Sequence, residues 1–194
     1  MSFNSASELS SNAARNAVFG GVLLRDSTEN DIPSVQAIYA GHVRHGTGSF
    51  EEIPPDYEEM RQRRAAIVAR GLPYVVATRE DRVLGFAYAA PFRPRPAYRF
   101  TIEDSIYIHP DVMGEGIGRL LLGDLIVRCE ALGYRQMVAV IGDSRNQRSI
   151  RLHQALGFNR AGTFTSVGFK FGRWLDAVFM QRALGESDTT LPSS

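Results

Sequence analysis

The chain has 194 residues, 44% of them hydrophobic, which is enough for one globular domain with its own core. Its 22 basic and 21 acidic residues give a net charge of +1, which excludes the strong positive excess typical of proteins that bind nucleic acid or anionic membranes. The single cysteine, Cys129, excludes an intramolecular disulfide. No apolar run approaches the ~20 residues of a membrane span and no secretory signal is visible, so we expect a cytoplasmic protein.

The order of predicted elements follows from apolar spacing and turn residues. Residues 1–20 are rich in Ser, Asn and Ala and are predicted to be a flexible extension, followed by one domain over 21–185 and a flexible tail over 186–194. The predicted elements are a strand at 22–25, helices at 31–43 and 56–70, strands at 74–78, 83–90 and 98–108, a helix ending at Gly133, a strand at 137–141, a helix at 149–156, and strands at 163–171 and 174–182.

The most informative stretch is 105–122, in which a strand turns through glycines directly into an amphipathic helix. Backbone N–H groups at a helix N-terminus lack intrahelical acceptors, and Gly114, Gly116 and Gly118 would let a phosphate approach them. The stretch lacks the third glycine of a dinucleotide-binding motif, since Arg119 occupies that position, and it lacks the Gly-Lys-Ser/Thr of a P-loop. At this point a glycine-rich turn without a ligand remains the alternative.

The segment from Met113 to Gly118 resembles the pyrophosphate loop of the GNAT acyltransferases, Gln/Arg-x-x-Gly-x-Gly/Ala, which binds acetyl-CoA. Met113 departs from that pattern at the first position, so we expect a weaker cofactor contact there. The element order also resembles GNAT. This resemblance implies an α/β (α+β) fold with a mixed, mostly antiparallel central sheet, splayed between its two central strands and flanked by about four helices.

Within that superfamily, residues 22–184 resemble the phosphinothricin N-acetyltransferase group, which includes the methionine sulfoximine and methionine sulfone acetyltransferases. The resemblance is carried by 89–110, 138–158 and 167–182, above all by Thr101-Ile102-Glu103 and by the run from Ser149 to His153. It implies an enzyme that transfers acetyl from acetyl-CoA to the α-amino group of a small amino-acid-like substrate.

Two residues correspond to catalytic positions of that group. Glu103 lies on the strand that enters the glycine turn, and by the resemblance it corresponds to the general base. A carboxylate in a cleft is suited to this role, since desolvation raises its pKa and makes it a better base. Asp104 should point to the opposite face by strand alternation. His153 corresponds to a position that protonates the departing thiolate or shares the work of the base. A solvated or structurally paired glutamate and a half-buried helix histidine remain the alternatives, and His42, His45 and His109 have no comparable support.

The resemblance also implies how acetyl-CoA is held. Strand residues would pair with the pantetheine amides, the glycine turn would hold the pyrophosphate, and an asparagine before the late helix would bond the pantetheine arm. One strand amide could also face the developing oxyanion. The predicted cofactor-binding residues are Ile106, Tyr107, Ile108, Met113, Gly114, Glu115, Gly116, Ile117, Gly118, Arg119 and Asn146. No Cys/His cluster has the spacing of metal ligands, so no metal is predicted.

The substrate side is predicted from the same resemblance. Arg93 or Arg95, held in a proline-rich loop, would bind the substrate carboxylate. The predicted lining of the side-chain pocket is aromatic: Phe92, Tyr98, Phe100 and Trp174. The run from Lys170 to Trp174 resembles the sulfoximine and sulfone subgroup more closely, whereas Ala40 replaces an asparagine frequent in relatives. Relatives are homodimers with the site near the interface, so a homodimer is expected.

Two other functions remain open. An acetyltransferase for a protein N-terminus or another amine would need an open, acidic groove, and this sequence places arginines and prolines there. A non-catalytic acyl-CoA-binding module is suggested by Met113, although the presence of both Glu103 and His153 argues against it.

Overall fold

The computed structural model describes residues 17–192, so most of the predicted extension lies outside the described residues. Its strands are β1 Ala17–Phe19, β2 Val22–Asp26, β3 Tyr74–Arg79, β4 Arg82–Pro91, β5 Thr101–Ile108, β6 Gln136–Gly142, β7 Asn159–Lys170 and β8 Arg173–Ala183. Its α-helices are α1 Ile32–His45, α2 Tyr57–Val68, α3 Ile117–Ala131 and α4 Gln147–Ala155.

The strands form one sheet in the order β1-β2-β3-β4-β5-β6-β8-β7. Neighbouring strands are antiparallel except β5 and β6, which are parallel and pair only from Thr101 opposite Gln136 to Asp104 opposite Ala139. Beyond Asp104 the two strands separate, although β5 continues to Ile108 and β6 to Gly142. The predicted mixed, mostly antiparallel sheet with a splay between its central strands is confirmed.

Two helices cover each face of the sheet. On one face, α1 and α2 bury an aromatic cluster that includes Tyr39, Tyr74 and Phe86. On the other face, the apolar side of α3 and Ile150 of α4 pack on the small residues of β3 and β4 and on Ile102 of β5. Because side chains alternate along a strand, consecutive residues of β5 face these two different layers.

Two features differ from the sequence prediction or extend it. The last residues of the predicted extension, Ala17–Phe19, form a strand, because Gly20 and Gly21 adopt positive φ and turn the chain back onto β2. Part of the predicted tail contacts the domain: Arg135 donates to Glu186 and Thr190. Of the helices within residues 17–192, none is both long and apolar enough to cross a membrane.

Candidate active site

The separation of β5 from β6 opens a cleft of about 730 Å³. One wall is the edge of β5 from Ser105 to Ile108, which has no partner strand on this side. The other walls are the glycine turn before α3, the start of α4, and the turn at 46–48. An unpaired strand edge offers backbone donors and acceptors to an extended ligand, so this cleft can take an amide-bearing chain by β-augmentation.

The glycine turn forms an anion cradle at one end of this cleft. Gly114 and Gly116 have φ of +95° and +85°, and a Cβ at either position would meet nothing within 4 Å. Their positive φ, rather than a lack of space, therefore explains the glycines. The amides of Gly114, Gly116, Ile117 and Gly118 have no acceptor within the described part of the chain. Free amides at the positive end of α3 suit a pyrophosphate.

Arginines add positive charge around the cradle. Arg148 of α4 brings Nη1 to 2.8 Å from the sulfur of Met113, so a guanidinium lies beside the position at which the GNAT pattern has Gln or Arg. The arginines that line the cleft are Arg119, Arg145, Arg148 and Arg173. A positive charge from α4 therefore lies next to Met113.

The loop after α1 also lines the cleft. Lys170, the only lysine of the chain, is buried and donates to the carbonyls of Gly46 at 3.0 Å and Ser49 at 2.8 Å. Gly142 lets this loop approach β6, because a Cβ there would lie 2.1 Å from the carbonyl oxygen of Thr47. These contacts fix residues 46–49 as a wall of the cleft.

Asn146 occupies the N-cap of α4 and lines the cleft. Its side-chain oxygen accepts from the amide of Ser149 at 3.3 Å, which leaves its amide nitrogen available to a ligand. Capping and ligand binding are compatible at this residue.

Glu103 lies on the α1/α2 face of the sheet. Its partner in β4 is Ala90, and the next pair on the same face is Tyr88 with Ser105, which lines the cleft. Burial raises the pKa of Glu103, and the charge of Asp104 adds to this effect, whereas the guanidinium of Arg93 opposes it. A half-buried carboxyl with a raised pKa, one strand step from the cleft wall, can accept a proton from an amine bound there.

His153 lies on the other face, among α3, α4 and β5. Its side chain is 2% exposed, and Nε2 lies 3.0 Å from Oδ2 of Asp104. Burial disfavours the charged ring, but the hydrogen bond and charge of Asp104 outweigh it, so the pKa of His153 is above its usual value. The alternation predicted for Glu103 and Asp104 is present, and it separates Glu103 from His153. Asn146 and Leu152 line the cleft, whereas His153 does not.

His42 is a cleft residue that sequence reasoning missed. It lines the main cleft and an adjoining cavity of about 470 Å³ against α1. Its Nε2 lies 2.9 Å from the carbonyl oxygen of Ile108, so this nitrogen carries the proton and donates. Burial lowers the pKa of His42, which favours the neutral ring. No local sequence signal marks His42 as a cleft residue. It reaches the cleft because the C-terminal part of α1 lies next to β5, which is a contact between distant parts of the chain.

The predicted substrate residues lie at the end of β4 and in the loop that follows. Arg93 packs over the ring of Phe92, which contacts Tyr98 edge to face. Arg93 is close enough to affect Glu103, whereas Arg95 is not among the groups that do so. Trp174 is 63% exposed on the β7–β8 hairpin, contacts Phe169 edge to face, and does not line the cleft of this chain. The predicted roles in substrate binding stay predictions for all six residues: Phe92, Arg93, Arg95, Tyr98, Phe100 and Trp174.

Within the described residues, no group of three or more His, Cys, Asp or Glu side chains could hold a metal ion. The one cysteine, Cys129, is buried, and its burial raises its pKa to about 12. At neutral pH this thiol is protonated and is a poor nucleophile.

Known proteins resemble the chain over most of its length. The model of the acetyltransferase (GNAT) family matches residues 36–158. A phosphinothricin N-acetyltransferase of Alcaligenes faecalis is 58% identical over 164 residues, which cover 84% of this chain and 83% of that protein. An L-methionine sulfoximine/L-methionine sulfone acetyltransferase of Pseudomonas paraeruginosa is 41% identical over 159 residues, covering 81% and 92%.

Solved structures of acetyltransferases are also similar to this chain. A GNAT superfamily phosphinothricin acetyltransferase from Sinorhizobium meliloti in complex with acetyl-CoA has a TM-score of 0.87 and 49% identity, and the match covers 90% of this chain and 94% of that chain. A putative acetyltransferase from Salmonella typhimurium with acetyl-CoA as its cofactor has a TM-score of 0.86 and 34% identity, and the match covers 90% and 99%.

Proposed function

The chain belongs to the GNAT acetyltransferase family, and from that premise we propose that it transfers the acetyl group of acetyl-CoA to the α-amino group of a small amino-acid-like substrate. One observation carries the proposal: the free edge of β5, the unpaired amides of the glycine turn and the cap of α4 all line one cleft. These groups match the amides and the pyrophosphate of a CoA thioester in the order in which that molecule presents them.

Each residue set has a defined task in holding acetyl-CoA. The edge of β5 from Ile106 to Ile108 pairs with the pantetheine amides, and Asn146 adds a side-chain hydrogen bond. The amides from Gly114 to Arg119 hold the pyrophosphate. Arg148, beside Met113, adds a charge-assisted contact to the same group. Met113 and Glu115 contribute through their backbone positions in the turn, because backbone amides carry most of such a cradle.

Glu103 acts as the general base, directly or through a water molecule. The substrate arrives as an ammonium ion. Glu103 accepts one of its protons, and the neutral amine then attacks the thioester carbonyl. A strand amide at the cleft edge donates to the oxygen on which negative charge develops. The carbon–sulfur bond then breaks and the CoA thiolate leaves. The second proton lost by the amine nitrogen balances the one that the thiolate takes up to become free CoA. The protonation of this thiolate by His153 stays a prediction, because both ring nitrogens of His153 contact other groups of this chain.

Phosphinothricin is the leading substrate within this class. The run from Lys170 to Trp174 favours the sulfoximine and sulfone subgroup, whereas identity over the whole domain is 58% to the phosphinothricin enzyme and 41% to the sulfoximine/sulfone enzyme. All three compounds are α-amino acids whose side chain ends in a methyl-bearing tetrahedral phosphorus or sulfur. Arg93 would bind their shared carboxylate.

We expect the active form to be a homodimer. The outer surface of the β7–β8 hairpin exposes apolar side chains over more than half of their area: Phe164, Val167, Phe169, Phe171 and Trp174. A patch of this kind marks an interaction surface. A second copy of the chain is the occupant that fits the homodimers of this family, and light scattering of the purified protein tests it. The cytoplasmic location likewise stays a prediction.

The proposed reaction is tested by release of free CoA from acetyl-CoA, with phosphinothricin, methionine sulfoximine, methionine sulfone and unmodified amino acids as acceptors. Rapid release with one of the first three, and an N-acetylated product identified by mass spectrometry, is expected. Calorimetric binding of acetyl-CoA without release on any acceptor would contradict the proposal and favour the alternative of a non-catalytic acyl-CoA-binding module. Release with peptide amines alone would favour a protein N-terminal acetyltransferase.

A further inference from the structure

The buried pair of Asp104 and His153 joins β5 to α4. The two side chains are each 2% exposed, and they come from positions 49 residues apart in the chain. Asp104 is opposite Ala139 in the last pair before β5 and β6 separate. The pair therefore lies at the point where the cleft opens, on the side of the sheet away from Glu103.

The contacts of the ring define where its protons are. Nδ1 of His153 lies 2.8 Å from the carbonyl oxygen of Ser149, which can only accept, so Nδ1 carries a proton. Nε2 lies 3.0 Å from the Asp104 carboxylate, also an acceptor when ionised. With an acceptor at each nitrogen, the imidazolium is the form that satisfies both contacts. The second oxygen of Asp104, Oδ1, is buried and has no hydrogen-bond partner within the described residues, so the ring is the side-chain partner of this carboxylate.

We propose that Asp104 is a positioning residue. With His153 it forms a buried, net-neutral ion pair that fixes α4 against β5 at the point where the cleft opens. The positive ring of His153 offsets the negative charge of Asp104, which would otherwise act on Glu103 in full. A buried carboxylate without a counter-ion would be costly, and breaking such a pair on one side only is more damaging than replacing both partners. Because Ser149 and Leu152 of α4 line the cleft, the placement of α4 determines its shape.

The charged and titratable groups around Glu103 and Asp104 determine in which direction each substitution should shift the pKa of Glu103. Arg93 opposes a rise in the pKa of Glu103, and Asp104 promotes it. On the same face of the sheet, Tyr88 of β4 is a titratable side chain on which the charge of Glu103 acts. On the opposite face, Asp104 affects Cys129 of α3. The part of the proposal that concerns Glu103 rests on the proposed function, whereas the ion pair does not.

The ion pair is tested by NMR of ring nitrogens in the full chain labelled with ¹⁵N-histidine, in which His153→Gln assigns the signals. In the wild type, both nitrogens of His153 are expected to stay protonated above the ordinary histidine pKa of about 6.5. In Asp104→Asn, the titration midpoint of the ring should fall by about one pH unit or more. A ring that titrates at its ordinary value in the wild type, or that does not respond to Asp104→Asn, would overturn the proposal.

The effect on Glu103 is tested by the acidic limb of kcat/KM against pH, with acceptor and cofactor unchanged among variants. Asp104→Asn removes a negative neighbour and should move the limb to lower pH. His153→Gln leaves Asp104 without its cation and should move the limb to higher pH. The double variant should return close to the wild-type midpoint. Asp81→Asn, in the exposed β3–β4 turn, removes one negative charge far from Glu103 and should leave the limb in place.

Opposite shifts are the result that a merely structural role would not produce. Shifts of the same sign in both single variants, or lower kcat/KM with no shift, would overturn the proposal. If a single variant fails to fold, the wild-type NMR measurement still decides whether the ion pair exists, because the protonation of both ring nitrogens is read in the unmodified chain. The NMR experiment needs no substrate, so failure of the ion pair and failure of the proposed acetyl transfer are distinguishable.

Discussion

Arg148 of α4 places Nη1 2.8 Å from the sulfur of Met113 in the glycine turn. The contact joins the two elements that border the anion cradle. It also brings a positive charge to the position at which the GNAT pattern has its own polar side chain. Under the proposed function, this guanidinium would take the place of the polar side chain that Met113 lacks.

Arg148→Ala should weaken acetyl-CoA binding about five- to tenfold, because an exposed charge-assisted contact to phosphate is lost. Calorimetry at low and high salt measures the effect, and added salt should reduce the difference between wild type and variant. Arg160→Ala, on the exposed part of β7, is the matched control and should bind normally. Equal affinities of Arg148→Ala and wild type at low salt would exclude Arg148 from the cradle.

Gly116→Ala should cost about 1–2 kcal/mol of stability, because an alanine at φ +85° is strained, although the site has room for a methyl group. The shifted amides should also weaken acetyl-CoA binding by about tenfold or more. Gly123→Ala is the control, since this glycine lies within α3, also with nothing within 4 Å, and the change should stabilise the protein by about 1 kcal/mol. Urea unfolding and calorimetry measure both variants. Normal acetyl-CoA affinity in Gly116→Ala would show that the cradle does not depend on this conformation.

Arg93→Ala should raise the KM of the amino-acid substrate by about tenfold or more while acetyl-CoA affinity is unchanged, because one charged partner of the carboxylate is lost. The same change removes a positive charge that opposes the raised pKa of Glu103, so the acidic limb of kcat/KM should move to higher pH. Arg95→Ala is the comparison and should show neither effect. The reverse result, with the larger effect at Arg95, would reassign the carboxylate site.

Asp31→Asn should destabilise the fold by about 2–3 kcal/mol at pH 7. Asp31 accepts two bonds of 2.7 Å from Arg25 and one of 2.7 Å from the amide of Thr28, just before α1. Burial alone would raise the pKa of Asp31, but these partners outweigh it and hold the pKa below its usual value. The stability from ionised Asp31 is therefore present above the unfolded pKa of about 3.9 and is lost as pH falls through the lower folded value. Urea unfolding should show a smaller difference between wild type and variant at pH 3 than at pH 7, and a constant difference would contradict this account.

Much of the fold could be predicted because local signals agreed with the final structure. Alternating and helical apolar spacing located the strands and helices from β2 onward, and the cluster of glycines between a strand and a helix located the turn before α3. Strand alternation correctly placed Glu103 and Asp104 on opposite faces. What could not be predicted depends on contacts between distant parts of the chain: the pairing of Asp104 with His153, the approach of His42 to Ile108, and that of Arg148 to Met113.

The strand at Ala17–Phe19 was missed for a different reason. Residues 1–20 taken together are rich in Ser, Asn and Ala, which hid this short apolar run. The run pairs with β2 because the glycine pair after it turns the chain back. Edge pairing of this kind depends on the presence of an open strand, which composition does not reveal.

The central claim is that Glu103 accepts the amine proton in a cleft that binds acetyl-CoA independently of it. The most direct measurement is turnover and calorimetric acetyl-CoA affinity of Glu103→Gln beside the wild type, with the best acceptor from the CoA-release assay. The account predicts kcat/KM lower by about 10²–10⁴-fold, with an acetyl-CoA Kd changed by no more than about twofold. Unchanged turnover would contradict the role of Glu103 as the base, and a large loss of acetyl-CoA affinity would show that Glu103 supports the cleft instead.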